Sequence, residues 1–273
     1  MDHGHPLDGV WAPARPRRGG DRAAFASAAS AGAAGVVVPL SAWEQGPPEA
    51  LPLPVRVDLD AARPAALRSA VALGPDLVGL PATSAGPRAA SDLRASLGAA
   101  CELGAEVVLL LERPADVAPA LDLAPPDGPV VGVRADFFEE EAYDALSERE
   151  DLGLITAADE FASAYRRGAG GLEGLPASIS PRVAVRLLDL CRQDVDGALV
   201  AERRLMRFLE GHLRPAARRL GGDRAALEAV SAAVGGSHLA SEPGHGLDPA
   251  ALDVAALRGA LVEQLPELID VLP

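Results

Sequence analysis

Val130-Val-Gly-Val-Arg134 is a short apolar run that ends in a cation, followed by the amphipathic stretch Phe138–Ser147. The same two-part unit recurs on both sides of it. Comparable runs are Gly9–Ala12, Gly35–Pro39, Val55–Leu59, Leu77–Leu80, Glu106–Leu111, Leu152–Ile155 and Gly170–Leu172. They are continuously apolar rather than alternating, which is how strands covered on both faces of a parallel sheet read. Between them lie helical patterns at Asp21–Ala31, Ala61–Ala72, Arg88–Leu103 and Asp159–Arg167. Asp21 and Ser91 suit helix N-caps, and Gly32, Gly74, Gly104 and Gly168 suit helix ends.

Eight such units predict an α/β fold, a closed (β/α)8 TIM barrel. An open doubly wound sheet is the alternative, but no Gly-x-Gly-x-x-Gly follows the first strand, and no other motif calls for a cofactor. Beyond Ile179 only helices are expected, at Ile179–Arg192, Gly197–His212, Arg224–Val234 and Pro249–Leu265, with Gly235–Asp248 as an exposed loop. The expected division is a barrel over residues 1–194 and a helical extension over 195–273 packed on it.

The chain has 273 residues, 49% of them hydrophobic, enough for a barrel of about 250 residues. Its formal net charge of -14 repels phosphate backbones, so no nucleic-acid partner is expected. Nothing resembles a signal peptide or a membrane span, and the two cysteines, Cys101 and Cys191, stand far apart. A reducing cytoplasm is the expected compartment. All 25 basic residues are arginine; the chain contains no lysine.

Gly168-Ala-Gly-Gly-Leu-Glu-Gly-Leu-Pro-Ala-Ser-Ile-Ser-Pro-Arg-Val183 resembles the strand-8 motif of the dihydrodipicolinate synthase / N-acetylneuraminate lyase family, Gly-Ala-x-Gly-x-x-Ser-x-x-x-Asn-x-x-Pro followed by a helix. Gly168, Gly171 and Pro181 fall on its shared positions. The helices from Asp194 to Glu210 and Ala226 to Gly235, and the segment Leu257-Arg-Gly-Ala-Leu261, are similar to the family's closing helices. Upstream, Val130–Asp136 is similar to Val-Gly-Ile-Lys-Glu-Ala-Ser, and Asp8–Val10 and Val36–Glu44 to the first strand and the Gly-Thr-Thr-Gly-Glu loop.

The resemblance implies a lyase, a class I aldolase. A 2-keto acid would form a Schiff base with a lysine at the end of strand 6, a strand-5 tyrosine would relay protons, and paired threonines would orient the substrate. It also implies a homo-oligomer, dimer or tetramer. This chain departs at those positions. The lysine is matched by Arg134, the tyrosine by Leu111, the threonines by Ser41 and Ala42, and the strand-8 Ser and Asn by Gly174 and Ser178; Glu44 and Pro114 are kept. A guanidinium stays protonated and is no amine nucleophile.

Two readings follow for the catalytic face, where Glu44, Glu112, Arg113, Arg134, Asp136, Glu173 and Ser178 are expected. In one, Arg134 grips a small carboxylate or keto acid, with Glu44, Glu112 or Glu173 as a general base. In the other, Arg134 is tied down by those carboxylates and the barrel is non-catalytic, a pseudoenzyme that binds a small acid or assembles with an active relative. Trp11 and Trp43 are expected to fill the mouth, and Cys101 to be inert core. Ser41, Thr83, Ser84 and Ser178 lack a neighbouring histidine. His3 and His5 read as a frayed terminus, and the pairs His3/His5 and His238/His245 fall short of a metal set, so no metal is expected. Glu139–Glu141 reads as a solvated first helical turn, and Arg203–Glu210 as a helix whose Leu205, Phe208 and Leu209 face the core.

Overall fold

The computed structural model describes residues 5–13, 22–44, 53–83, 87–235 and 252–266. In chain order the elements are β1 (Gly9–Pro13), α1 (Arg22–Ser30), β2 (Gly35–Pro39), α2 (Leu40–Trp43), β3 (Val55–Asp58), α3 (Pro64–Ala72), β4 (Leu77–Pro81), α4 (Pro87–Leu103) and β5 (Val107–Leu111). They continue as α5 (Val117–Leu123), β6 (Val130–Ala135), α6 (Glu140–Ser147), β7 (Gly153–Thr156), α7 (Phe161–Arg166), β8 (Gly171–Leu172), α8 (Leu175–Ile179) and α9 (Pro181–Gln193). Last come α10 (Val195–Phe208), α11 (Arg214–Arg219), α12 (Arg224–Gly235) and α13 (Val254–Gln264).

The eight strands pair in sequence order, all parallel, and β8 closes on β1 through Gly9↔Gly171 and Val10↔Leu172. All eight expected strands are present, to within a residue or two at their ends. The helices depart from expectation in places. Ser91 lies inside α4, which starts at Pro87, so it caps nothing. The short helices α2 and α8 were not anticipated, nor was α5, whose pattern Pro119 interrupts. Asp21 and the loop Gly235–Asp248 beyond its first residue lie outside the described residues. Gly32, Gly74, Gly104 and Gly168 all have positive φ, as helix-ending glycines do.

Alternation along each strand sorts the side chains. Val36, Val38, Val55, Val57, Val107, Leu109 and Leu111 face the helices, in the larger core with Phe25 and Leu67. Leu7, Trp11, Val37, Leu77, Val108 and Ile155 form a separate cluster inside the barrel. Space for it comes from inward glycines. A Cβ on Gly35 would stand 2.4 Å from the Trp11 ring, and one on Gly132 2.1 Å from Leu7. His5 is not frayed: its amide donates to Asp8 Oδ2 at 2.9 Å, its Nδ1 accepts from the Leu7 amide at 3.2 Å, and the turn carries Leu7 into the barrel. Trp11 donates through Nε1 to the Leu7 carbonyl at 3.2 Å.

The helix α9 packs on β1 in the place of an eighth barrel helix. Ala198, Ala201, Leu205 and Phe208 are buried along one face of α10, as the periodicity predicts. Glu202, on that face, is buried because it accepts from the Ala162 and Ser163 amides at 2.7 and 3.0 Å, fastening α10 to the start of α7. Leu209–Leu213 is a π-helical segment joining α10 to α11. Cys101 is exposed, correcting its placement in the core; Cys191 is buried, and burial pushes its thiol up to about 12. No helix among the described residues is long and apolar enough to cross a membrane.

Gly35→Ala should cost about 1–3 kcal/mol in urea unfolding, because its methyl group overpacks against Trp11. Gly98→Ala, in α4 with open space around it, should be neutral or stabilising in the same assay.

Candidate functional site

The inward parity that places Trp11 and Ile155 inside the barrel also places Arg56, Asp58, Arg134 and Glu173 there, towards the C-terminal ends of the strands where TIM barrels carry their sites. Arg56, fully buried, points its Nε and Nη2 at the two oxygens of Asp58 at 2.7 and 3.0 Å. The same Nη2 donates to Glu173 Oε2 at 2.8 Å. The other oxygen of Glu173 lies 2.8 Å from Arg134 Nε. Arg134 Nη2 is 2.6 Å from Asp136 Oδ1, and Asp136 Oδ2 is 3.2 Å from Arg224 Nη1. Arg224 Nε donates to Glu228 at 3.2 Å. Carboxylate and guanidinium therefore alternate from Asp58 through Arg56, Glu173, Arg134, Asp136 and Arg224 to Glu228, and each arginine stands between two acids.

Burial opposes the charge on Glu173, but Arg134 and Arg56 together hold its carboxyl below the usual range. Asp136 goes the other way: burial raises it, and the pull of Arg134 and Arg224 does not fully offset that. Burial works against the Arg56 cation too, but Asp58 and Glu173 raise its pKa well above the ordinary value, so it stays charged. Its Nη1 has no hydrogen-bond partner, and its Cζ lies 5.9 Å from the centre of the Trp11 ring, within reach of the ring's quadrupole.

Of the residues expected at the site, Arg134, Asp136 and Glu173 are brought together. Glu44 and Glu112 are exposed, outside this chain of ion pairs. Arg113 pairs with Asp116 at 3.0 Å. Ser178 is buried in α8 and donates to the Gly174 carbonyl at 3.1 Å. Leu111 is in the outer core facing the helices, Ser41 is exposed and Ala42 half-buried in α2. Trp43 also belongs to the outer core and not to the mouth. Thr83 is exposed, while Ser84, His3, His238 and His245 lie outside the described residues. Among the described residues no three His, Cys, Asp or Glu side chains are grouped to hold a metal.

Arg56 and Asp58 were not anticipated. The signal was present: Val55-Arg-Val-Asp58 alternates, with its polar residues on the parity that points inward.

A cleft of about 260 Å³ opens beside Asp136, between the β6–α6 and β7–α7 loops and the helices α11 and α12. Asp159 and Arg214, 2.7 Å apart, span it. Tyr143, under the cleft, donates to Thr156 Oγ1 at 2.9 Å, and burial raises its phenol far above the ordinary range.

The fold is shared with solved lyases. N-acetylneuraminate lyase from Fusobacterium nucleatum in complex with pyruvate superposes with a TM-score of 0.70 at 11% identity, over 96% of this chain and 98% of that one. Dihydrodipicolinate synthase from Bacillus clausii gives 0.68 at 15% identity, over 94% and 98%. A catalytic-lysine mutant of the Ruminococcus gnavus sialic acid aldolase gives 0.69 at 16% identity, over the full length of both. At these identities the likeness is one of fold. No protein-family model and no curated protein sequence matches the chain.

Glu173→Gln should cost about 3 kcal/mol or more in urea unfolding at neutral pH, since it leaves the buried Arg56 and the partly buried Arg134 under-compensated. Glu112→Gln, exposed, should change stability by less than about 0.5 kcal/mol. Glu173 is lowered in the folded state, so the stability it contributes is fully present above the ordinary value of 4.5 and is lost as pH falls through its lower folded value. The stability gap between wild type and Glu173→Gln should therefore be constant from pH 7 to 5 and close as the pH falls below 4.5.

Proposed function

We propose that this chain is a non-catalytic barrel of the dihydrodipicolinate synthase / N-acetylneuraminate lyase type, a pseudoenzyme with respect to Schiff-base aldol chemistry. The observation that carries the reading is Arg134 locked between Glu173 and Asp136. Imine formation needs a neutral amine that can attack a carbonyl carbon. The sequence offers no lysine at any position, and a guanidinium does not deprotonate in the working range.

The anion-pocket alternative needs uncompensated positive charge. The arginines 56, 134 and 224 face four carboxylates in one alternating chain, so an incoming acid would have to displace a paired acid. A carboxylate base needs a proton affinity near the working pH. Glu173, held below its usual range, is the wrong partner for that task. What remains for such a chain is binding, and an assembly with copies of itself or with an active relative of the same fold is consistent with this reading.

Incubation with pyruvate and sodium borohydride, followed by peptide mapping by mass spectrometry, should give no reduced pyruvyl adduct beyond the N-terminal α-amine, and calorimetric titration with pyruvate should give no heat of binding. An adduct at any barrel residue would overturn the reading.

A further inference from the structure

The helix α12 is held unevenly along its length. Its second half is packed: Val230 and Val234 are buried in one cluster with Ile179 and Leu205, and a Cβ on Gly235 would stand 2.0 Å from the Ile179 carbonyl oxygen. Its first turn buries Ala226 but otherwise meets open space on two sides. One side is the cleft of about 260 Å³ beside Asp136, and the other is a cleft of about 210 Å³ against α11. Arg214, Arg224 and Leu227 line both, so these three side chains form the wall between them.

Two glycines lead into this turn. Gly221 and Gly222 follow α11 with φ of +116° and +75°, and their amides donate back to the Arg218 and Ala217 carbonyls at 3.3 and 3.0 Å. A Cβ on Gly221 would meet nothing within 4 Å, and one on Gly222 only Arg218. Such a link absorbs backbone rotation without disturbing a neighbour, as a hinge must. Past the glycines, an ion pair fastens the turn to the barrel mouth. Arg224 Nη1 lies 3.2 Å from Asp136 Oδ2, while its Nε donates to Glu228, one turn along the same helix, at 3.2 Å. The Arg224 side chain is 43% exposed. On leaving Asp136 it keeps Glu228 and its water, so release breaks a single, partly exposed ion pair.

We propose that residues 221–227 form a flap, hinged at the two glycines and latched by Arg224 on Asp136. When the latch releases, the wall between the two clefts moves aside. The clefts become one passage, and solvent reaches the Arg134–Asp136 pair at the barrel mouth from the side of α11. Segments with few buried apolar contacts open locally at low cost while the rest of the fold stays closed. The inference stands apart from the non-catalytic reading, because it concerns access to the ion pairs and not the chemistry done there.

Hydrogen exchange of the full chain, read by mass spectrometry, tests the latch. Arg224→Gln and Asp136→Asn cut it from opposite sides. Each should speed exchange at residues 225–228 by roughly three- to tenfold, the range expected for loss of one such pair, and leave residues 230–235 at the wild-type rate. Raising salt to about 1 M, which screens a partly exposed pair, should move the wild type in the same direction. Arg134 should react faster with phenylglyoxal in Arg224→Gln than in the wild type, scored by peptide mapping. Arg218→Gln, on the α11 side of the outer cleft, should match the wild type in both assays. Folding of the variants is checked by circular dichroism. Unchanged exchange at residues 225–228 in either latch variant, faster exchange along the whole of α12, or unchanged Arg134 reactivity in Arg224→Gln would each overturn the proposal.

Discussion

A single carboxylate, Glu173, meets the buried guanidinium of Arg56 at one oxygen and the partly buried guanidinium of Arg134 at the other, and the interior of the upper barrel is organised around that contact. A charge inside a barrel has little water to turn to, so each one dictates its neighbours. Arg56 on β3 and Arg134 on β6 reach inward from different sides, and the residue after the two-residue strand β8 supplies the acid between them. Asp58 and Asp136 complete the far side of each arginine. Gly79 follows from this arrangement: a Cβ there would stand 2.0 Å from Asp58 Oδ1, so the strand must leave that place empty for the carboxylate.

A shared fold does not by itself carry a shared chemistry. The backbone superposes on lyases, one of them solved with pyruvate. An amine and an arginine are both cationic at rest, yet only the amine has a neutral form within reach of working pH. The guanidinium instead offers a rigid fork of donors, which suits it to bridge two carboxylates. The side-chain type that forbids imine formation is thus also the one that lets the interior be closed with charged groups.

The fold was legible because parallel-barrel strands are apolar on both faces, and runs such as Gly35–Pro39 stand out against helical stretches rich in alanine and arginine. Arg134 and Glu173 were legible as charges at strand ends. Arg56 was not, because Val55–Asp58 was read by its valines and not by its parity. Pairings were less visible still. Arg56 and Glu173 are 117 residues apart, and no local pattern connects them. Arg224 sits at the start of an exposed-looking helix, and only the packing of α12 over the β6–α6 loop turns it into a partner of Asp136. Leu111 illustrates the converse: the family resemblance matched it to a site tyrosine, but its parity sends it to the outer core.

The helical extension is electrically part of the barrel. Arg224 compensates Asp136, Arg214 compensates Asp159, and Glu202 accepts the free amides at the start of α7, so three contacts from α10–α12 satisfy groups the barrel leaves open. The π-helical segment Leu209–Leu213 is suited to this task. One extra residue in the turn rotates everything after it by about 100° relative to an uninterrupted helix. That rotation lets α10 keep Leu205 and Phe208 in the core while Arg214, one turn on, faces Asp159 across the cleft. Without the helices, Asp159 would lose Arg214 and Asp136 would keep Arg134 but lose Arg224, so the loops that carry them draw on the extension for electrostatics as well as for packing.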